Sequence, residues 1–293
     1  APKVMGHEPA GIIEKVGKSV RGFKEGDRVF VNHHVACMTC HECIRGHYTL
    51  CQTYKKSHLD PGAMCEFFRV PEENILKDTL IIPNNVSFEE ATVCEPWGCV
   101  VGGLKVAGIK PGDTVSVVGC GFMGIGFIHM APLFGAGKVI ALDFSEWRLE
   151  KAISLGANHT INPKTEDPNE KLLALNDGKA SDVVVVTVPN IHAWELGYSL
   201  TAKGGCLHFG APPPANQVWN IDPEKLYFSE IMLSSKYSAD HFDTRTVMSW
   251  LSSNRINAKS AITNAFPLTG INEAFGLLLS ADKSLKTVIH PQE

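Results

Sequence analysis

The chain has 293 residues, 44% hydrophobic and 20% charged, with 27 basic and 31 acidic residues and a net charge of −4. That is enough apolar material for one large domain or two ordinary ones, and it excludes a peptide, a disulfide-stapled mini-protein and a disordered tail. The basic residues are scattered, with no run longer than Lys55-Lys56, which argues against a nucleic-acid binder.

Residues 1–95 carry short β-like runs broken by Gly and Pro, at 10–16, 28–31, 65–70 and 79–82, with sparse helical periodicity. From Pro96 the texture changes to a helix at 98–107 and then a strand at 114–118, a helix at 124–134 and a strand at 138–143. The alternation continues with a helix at 145–155, a short strand at 160–161, a helix at 170–175, a strand at 183–187, a helix at 191–199 and a strand at 205–209. Strand–helix alternation at this spacing predicts an α/β fold with a parallel sheet covered by helices, and four consecutive valines at 183–186 suit a strand buried on both faces. The uncharged stretch 114–137 is long enough for a membrane span, but its six glycines and Pro132 fit a buried strand–turn–helix better. The end of the chain predicts helices at 243–252 and 270–280 and a strand at 286–289, a segment expected to return to the first domain. The expected domains are therefore 1–95 with 236–293, and 96–235.

Nine cysteines are present, and four of them, Cys37, Cys40, Cys43 and Cys51, fall within fifteen residues. An odd total with one tight cluster suits a reducing compartment better than a disulfide framework, and no signal-peptide pattern is visible, so a cytoplasmic location is expected. Four thiolates at this spacing can surround one tetrahedral Zn²⁺ and leave it no open position, so this zinc is expected to be structural. The alternative is buried free thiols or redox cysteines. His41 and His47 nearby read as exposed loop histidines.

Gly119-Cys120-Gly121-Phe122-Met123-Gly124 follows a predicted strand and opens a helix, and a further strand ends in Asp143, 19 residues after Gly124. A dinucleotide site needs this context: Gly119 for a tight turn, Gly121 for approach of the pyrophosphate, Gly124 for close helix packing. The amides near Phe122 and Met123 would face the phosphates at the positive helix end. Asp143 would accept the adenosine ribose hydroxyls and repel a 2′-phosphate, favouring NAD over NADP. His7-Glu8 after Gly6, and Cys94-Glu95 before Pro96, carry little on spacing alone.

In their order, Gly-His-Glu, then Gly26-Asp27-Arg28-Val29, the four cysteines, Glu95-Pro96 and the dinucleotide turn resemble the zinc-dependent medium-chain dehydrogenase/reductase family. The resemblance runs over essentially the whole chain, including Lys110-Pro111-Gly112-Asp113, Leu155-Gly156-Ala157 and Lys286-Thr287-Val288-Ile289. Glu95-Pro96 is closest to the sorbitol, polyol and threonine dehydrogenase branch. The resemblance implies a Rossmann NAD-binding domain, an irregular, mostly β (GroES-like) catalytic domain, two zincs, and a homodimer or homotetramer. It implies that His7 and Glu95 hold a catalytic zinc at the bottom of a cleft, with Glu8 as a ligand or a neighbour of the ligands. Cys94 falls where another branch has a thiolate ligand, so Glu8, Cys94 and Glu95 stay open as the third ligand. It further implies that Arg148 lines the adenosine pocket, and that Phe209, Gly210 and Ala211 lie near the nicotinamide half.

The implied activity is hydride transfer between a small alcohol or polyol, or its carbonyl form, and NAD, without nucleic acid or membrane partners. The family's first catalytic ligand, a cysteine upstream of Gly-His-Glu, has no counterpart among the six residues before His7. The opening Ala1-Pro2-Lys3 therefore sets the expectation that the start of the catalytic domain lies outside this sequence. The competing reading is a family member that binds a nucleotide, keeps only the structural zinc and catalyses nothing.

Overall fold

The structure, a computed structural model, describes residues 4–280 and 283–292. The opening Ala1-Pro2-Lys3 lies outside the described residues. The chain forms two compact units, one from residues 1–99 with 237–293 and one from residues 100–236.

The first unit begins with an antiparallel sheet of β1 (Ala10–Ile12), β2 (Arg28–Val31) and β3 (Thr79–Ile81), with β2 central. Val29 and Val31 pack with Leu59, Phe23 and Phe68 in one apolar cluster. The run 10–16 pairs only as far as Ile13, whose amide donates to Asp27 O at 2.9 Å; Glu14 and Lys15 then turn to solvent. The run 65–70 is not a strand. Among the described residues its ladder is a single bridge between Asp60 and Arg69, and no described strand pairs with Cys65–Phe68 to continue it.

Between β2 and β3 lie α1 (His41–Ile44), α2 (Gln52–Lys56) and α3 (Glu72–Asp78). The fully buried Asn74 donates to Asn32 O at 2.8 Å and His33 O at 3.0 Å, fixing the backbone that leaves β2. After β3, α4 (Phe88–Thr92) starts in a reciprocal capping box of Ser87 and Glu90. Next comes α5 (Cys94–Ala107), which begins four residues before the predicted 98. Pro96 sits in its first turn, where a missing N–H leaves no helix bond broken. The division between the two units falls inside α5, after Cys99.

The second unit is a six-stranded parallel sheet in the order β6-β5-β4-β7-β8-β9. Its elements run β4 (Thr114–Val118), α6 (Phe122–Met130), β5 (Lys138–Leu142), α7 (Glu146–Ser154), β6 (His159–Ile161), α8 (Pro168–Leu175) and β7 (Ser181–Val186). They continue with α9 (Ile191–Leu200), β8 (Thr201–Phe209), α10 (Pro223–Ser229) and the edge strand β9 (Met232–Ser235). Every residue of β4 and Val183–Val186 of β7 are buried, as continuous β-branched runs in a two-sided sheet require. The chain winds outward from β4 in both directions, so the strand order reverses between β4 and β7. The uncharged stretch 114–137 becomes β4, α6 and a 3-10 turn at Ala131–Phe134; no described helix is long and apolar enough to cross a membrane.

The remaining residues rejoin the first unit as α11 (His241–Ser252), β10 (Ile262–Pro267), α12 (Ile271–Ser280) and β11 (Lys286–His290). The last two strands pair in parallel, Ile262 opposite Lys286.

Candidate active site

The cysteine lobe is built by α1, α2 and the turns before them. One donor atom from each of Cys37, Cys40, Cys43 and Cys51 lies within 4.8 Å of all the others. The Cys37–Cys43 and Cys40–Cys43 sulfur pairs are 4.0 and 3.5 Å apart, and none of the four is in a disulfide. Bonds of about 2.3 Å around a tetrahedral zinc place sulfurs about 3.8 Å apart, so the lobe has the dimensions of such a site. Main-chain amides point at the sulfurs: Cys40 N donates to Cys37 Sγ at 3.3 Å, and Cys37 N to Cys51 Sγ at 3.3 Å. The Thr39 amide and hydroxyl, with the Cys40 amide, draw the Cys37 thiol down to about 6. Met38 closes the knuckle in the left-handed region, at φ 72°, at a cost of about 1 kcal/mol for a residue with a Cβ. His41 and His47 are exposed and outside this group.

The second group is His7, Glu8 and Glu95, whose donor atoms also lie within 4.8 Å of one another. Gly6 aims it: its φ is +89°, and a Cβ there would meet Met64 N at 2.8 Å, so the turn into His7 accepts only glycine. His7 Nε2 stands 3.8 Å from Glu8 Oε1 and 3.8 Å from Glu95 Oε2, too far for hydrogen bonds and close enough to share one cation. Glu95, in the first turn of α5, is only 5% exposed. Burial, then the Glu8 charge, pushes its carboxyl up to about 8, while Lys286 pulls the other way. An anion so placed is stabilised by a metal ion. Cys94 is fully buried beside it but does not join the group, and burial holds its thiol well above the ordinary range. Trp97 is a fully buried core residue.

Two participants were not singled out by sequence reasoning. Lys286 Nζ makes an ion pair with Glu8 Oε2. The His33 ring packs edge-on against His7 with centroids 4.7 Å apart, and burial, with His34, His7 and His58 nearby, holds it neutral, down to about 2. A signal for His33 existed in the His33-His34 pair just past β2. Lys286 stood only in the closing motif 286–289, with nothing to link it to Glu8, 278 residues away.

In the second unit, Gly119 turns at φ +96°, and α6 begins at Gly121 with no side chain capping it. A Cβ on Gly124 would sit 1.8 Å from Gly119 O, so helix and turn touch through their backbones. A Cβ on Gly121 would have only Arg148 Nη1, at 4.0 Å, near it, leaving room in front of the turn. Asp143 follows β5; its Oδ2 accepts from Cys120 N at 2.7 Å and its Oδ1 from Ser145 N at 2.9 Å, with Arg148 Nη1 4.0 Å away. The carboxylate thus fastens the glycine turn. Phe122 and Met123 form the first turn of α6. The register Val118–Val186–Phe209 brings the segments after β4, β7 and β8 to one edge of the sheet, beside the strand-order reversal where nucleotides bind such sheets. Gly210 and Ala211 leave from that edge. Phe209 itself stacks on Trp194, centroids 4.0 Å apart, and packs against the apolar core of the sheet.

Comparison with known proteins agrees with this geometry. Residues 1–84 match the alcohol dehydrogenase GroES-like domain, and residues 123–253 match the zinc-binding dehydrogenase domain. The chain is 32% identical over 282 residues to the L-threonine 3-dehydrogenase of Bacillus subtilis, covering 95% of this chain and 79% of that protein. It is 28% identical over 293 residues to the sorbitol dehydrogenase of the same organism, covering 99% and 81%. Among solved structures, the alcohol dehydrogenase of Thermus sp. ATN1 superposes with a TM-score of 0.86 at 26% identity, covering 98% of this chain and 84% of that one. No relative here supports a member without catalytic activity. The chain, with its mixed α/β fold, belongs to the zinc-dependent medium-chain alcohol dehydrogenase family, whose zinc and nicotinamide cofactor are its own.

Proposed function

We propose that this protein oxidises a small alcohol or polyol, or reduces the matching carbonyl compound, with NAD as hydride partner. The observation that carries this reading is the convergence of His7, Glu8 and Glu95 in a unit whose neighbour along the chain presents a glycine turn fastened by Asp143. The donor set suits zinc: one imidazole and two carboxylates converge without bonding one another, and Glu95 is buried. A zinc held there supplies a Lewis acid that lowers the pKa of an alcohol. His7 and Glu95 bind and orient, and the depth of Glu95 in the first unit keeps water from its carboxyl. Asp143 accepts the ribose hydroxyls with its remaining lone pairs, and its charge disfavours a 2′-phosphate. Gly121 leaves the pyrophosphate room at the start of α6.

We assign residues 1–95 and 236–293 to the catalytic domain and 96–235 to the nucleotide-binding domain. A homodimer or homotetramer is supported by β9, an edge strand carrying Met232, 52% exposed, and Leu233. Nine cysteines without a disulfide support the cytoplasm. The test is to give the full-length protein NAD⁺ with a panel of alcohols, polyols and hydroxy amino acids and follow the reduced cofactor by absorbance. Turnover with preference for NAD⁺ over NADP⁺ is expected, with two zincs per chain. No turnover on any of them would sink the reading, and one zinc per chain would remove its catalytic centre.

A further inference from the structure

The first unit has a groove of about 400 Å³, open to solvent, between β3 and α11. None of its lining residues belongs to the cysteine lobe or to the His7 group. One wall is a single face of α11, since Arg245, Met248, Ser249 and Ser252 recur at the three- and four-residue spacing of one helix side. The rest of the lining is largely apolar, with Leu80, Ile81 and Pro83 joined by Phe23 from the turn before β2. Small-molecule sites run from roughly 300 to 1,000 Å³, so the groove has the room of one. β3 is an edge strand. Ile82 N bonds across to Arg28 O, and Asp78 O accepts from Asn32 N. By the alternation of an antiparallel ladder, the N–H and C=O of Ile81 therefore point away from β2, where they are open to a guest.

Among the described residues that line the groove, Arg245 is the one with a charge, and none is acidic. Its guanidinium is held in place: Nη2 donates to Lys77 O at 2.7 Å, at the end of α3. That bond leaves Nε and Nη1 to offer outward. Asp78 Oδ1 stands 3.9 Å from Nη2, beyond hydrogen-bond reach, and is fully buried, so the chain answers the arginine's charge only in part. We propose that this groove is a second ligand site and takes a small amphipathic monocarboxylate. The carboxylate sits on Arg245, and the hydrocarbon or aryl body lies against Phe23, Leu80, Ile81 and Met248. A cation finds no acid in this lining. A dianionic phosphate would keep charge that one guanidinium does not match, set against apolar walls. The site uses neither the nucleotide turn nor His7, Glu8 and Glu95, so it stands or falls apart from the activity proposed above.

The test titrates 3-phenylpropanoate, and separately its neutral amide, into the full-length protein by calorimetry, with hydrogen exchange to place the bound molecule. The acid should bind and protect residues 79–83 and 245–252, and the amide should bind about ten-fold more weakly. Arg245→Met should lose the same ten-fold, and Arg245→Lys, which keeps the charge, should lose less. Ser249→Trp fills the groove from an exposed position, so it should abolish that protection and leave the melting temperature unchanged. The amide comparison needs no variant, so it holds even where Arg245→Met, which strands Lys77 O, loses stability. An amide that binds as tightly as the acid overturns the proposal. So does protection confined to other segments, or protection of β3 and α11 that survives Ser249→Trp. Absence of binding at ~1 mM acid overturns it as well.

Discussion

The two units build their sites from different materials. In the second unit the recognition surface is main chain: a left-handed Gly119, a Gly124 that no side chain can replace, and two amides caught by Asp143. In the first it is side chains gathered from far apart, His7, Glu8, Glu95 and Lys286, together with a cysteine lobe whose four sulfurs pack only in a small cluster of their own with Ala36, Met38, Tyr48 and Tyr54. A site made of backbone exists once the sheet is folded. A site made of converging charges needs the ion it was assembled for, because buried like charges repel until a cation joins them.

The largest effect should separate the units outright. Cys51→Ser, or stripping the lobe's metal, should cost more than about 4 kcal/mol in the first unit and leave nucleotide binding by the second intact. Hydrogen exchange read peptide by peptide checks this, and equal loss of protection in β4–β8 would break the comparison. Gly124→Ala should act in the opposite place. Its Cβ meets a carbonyl at 1.8 Å that cannot swing aside, so about 3 kcal/mol and NADH binding should be lost from the second unit while both metals are retained.

Acid titration should sharpen the contrast with a smaller effect. In the first unit burial raises Asp78 from 3.8 to about 6, against hydrogen bonds from Asn32 and Thr244 and the charge of Arg245. Its folded form holds the proton more tightly than the unfolded chain, so this contribution is full below about pH 4 and is lost as pH rises to about 6. In the second unit burial lowers His208 from 6.5 to about 4. There the folded form resists the proton, so stability is full above about pH 6.5 and is lost as pH falls to about 4. Each is worth about 3 kcal/mol. Asp78→Asn should flatten the first slope and His208→Asn the second; one slope of the same sign in both units would refute the assignment.

The second unit was the more legible from sequence because its signals are local. A glycine turn and an acid 19 residues on sit within one strand–helix–strand unit, and a valine run marks a further strand of the same sheet; in the first unit only the four cysteines, within fifteen residues, are as local a signal. The first unit hides what depends on distant partners. Residues 65–70 alternate like a strand, but among the described residues no strand pairs with them to complete it. β10, with Asn264 inside it and Pro267 at its end, reads as a loop until β11 pairs with it, and the same pairing is what presents Lys286 to Glu8. β9 is half-exposed and follows a seven-residue helix, so neither period stands out. Helix starts moved for a simpler reason: capping residues such as Asp167 and Asp240 begin a helix before its apolar face becomes visible.

Asp143 ties cofactor choice to the integrity of the turn. The carboxylate that would discriminate against a 2′-phosphate is also the acceptor for Cys120 N and Ser145 N. A single exchange of this residue for a small neutral one, intended to admit the phosphorylated cofactor, removes the charge and strands two amides together. Retargeting the cofactor in this protein is therefore a two-part change: the new residue must relieve the repulsion, and something nearby must take over the two orphaned N–H groups.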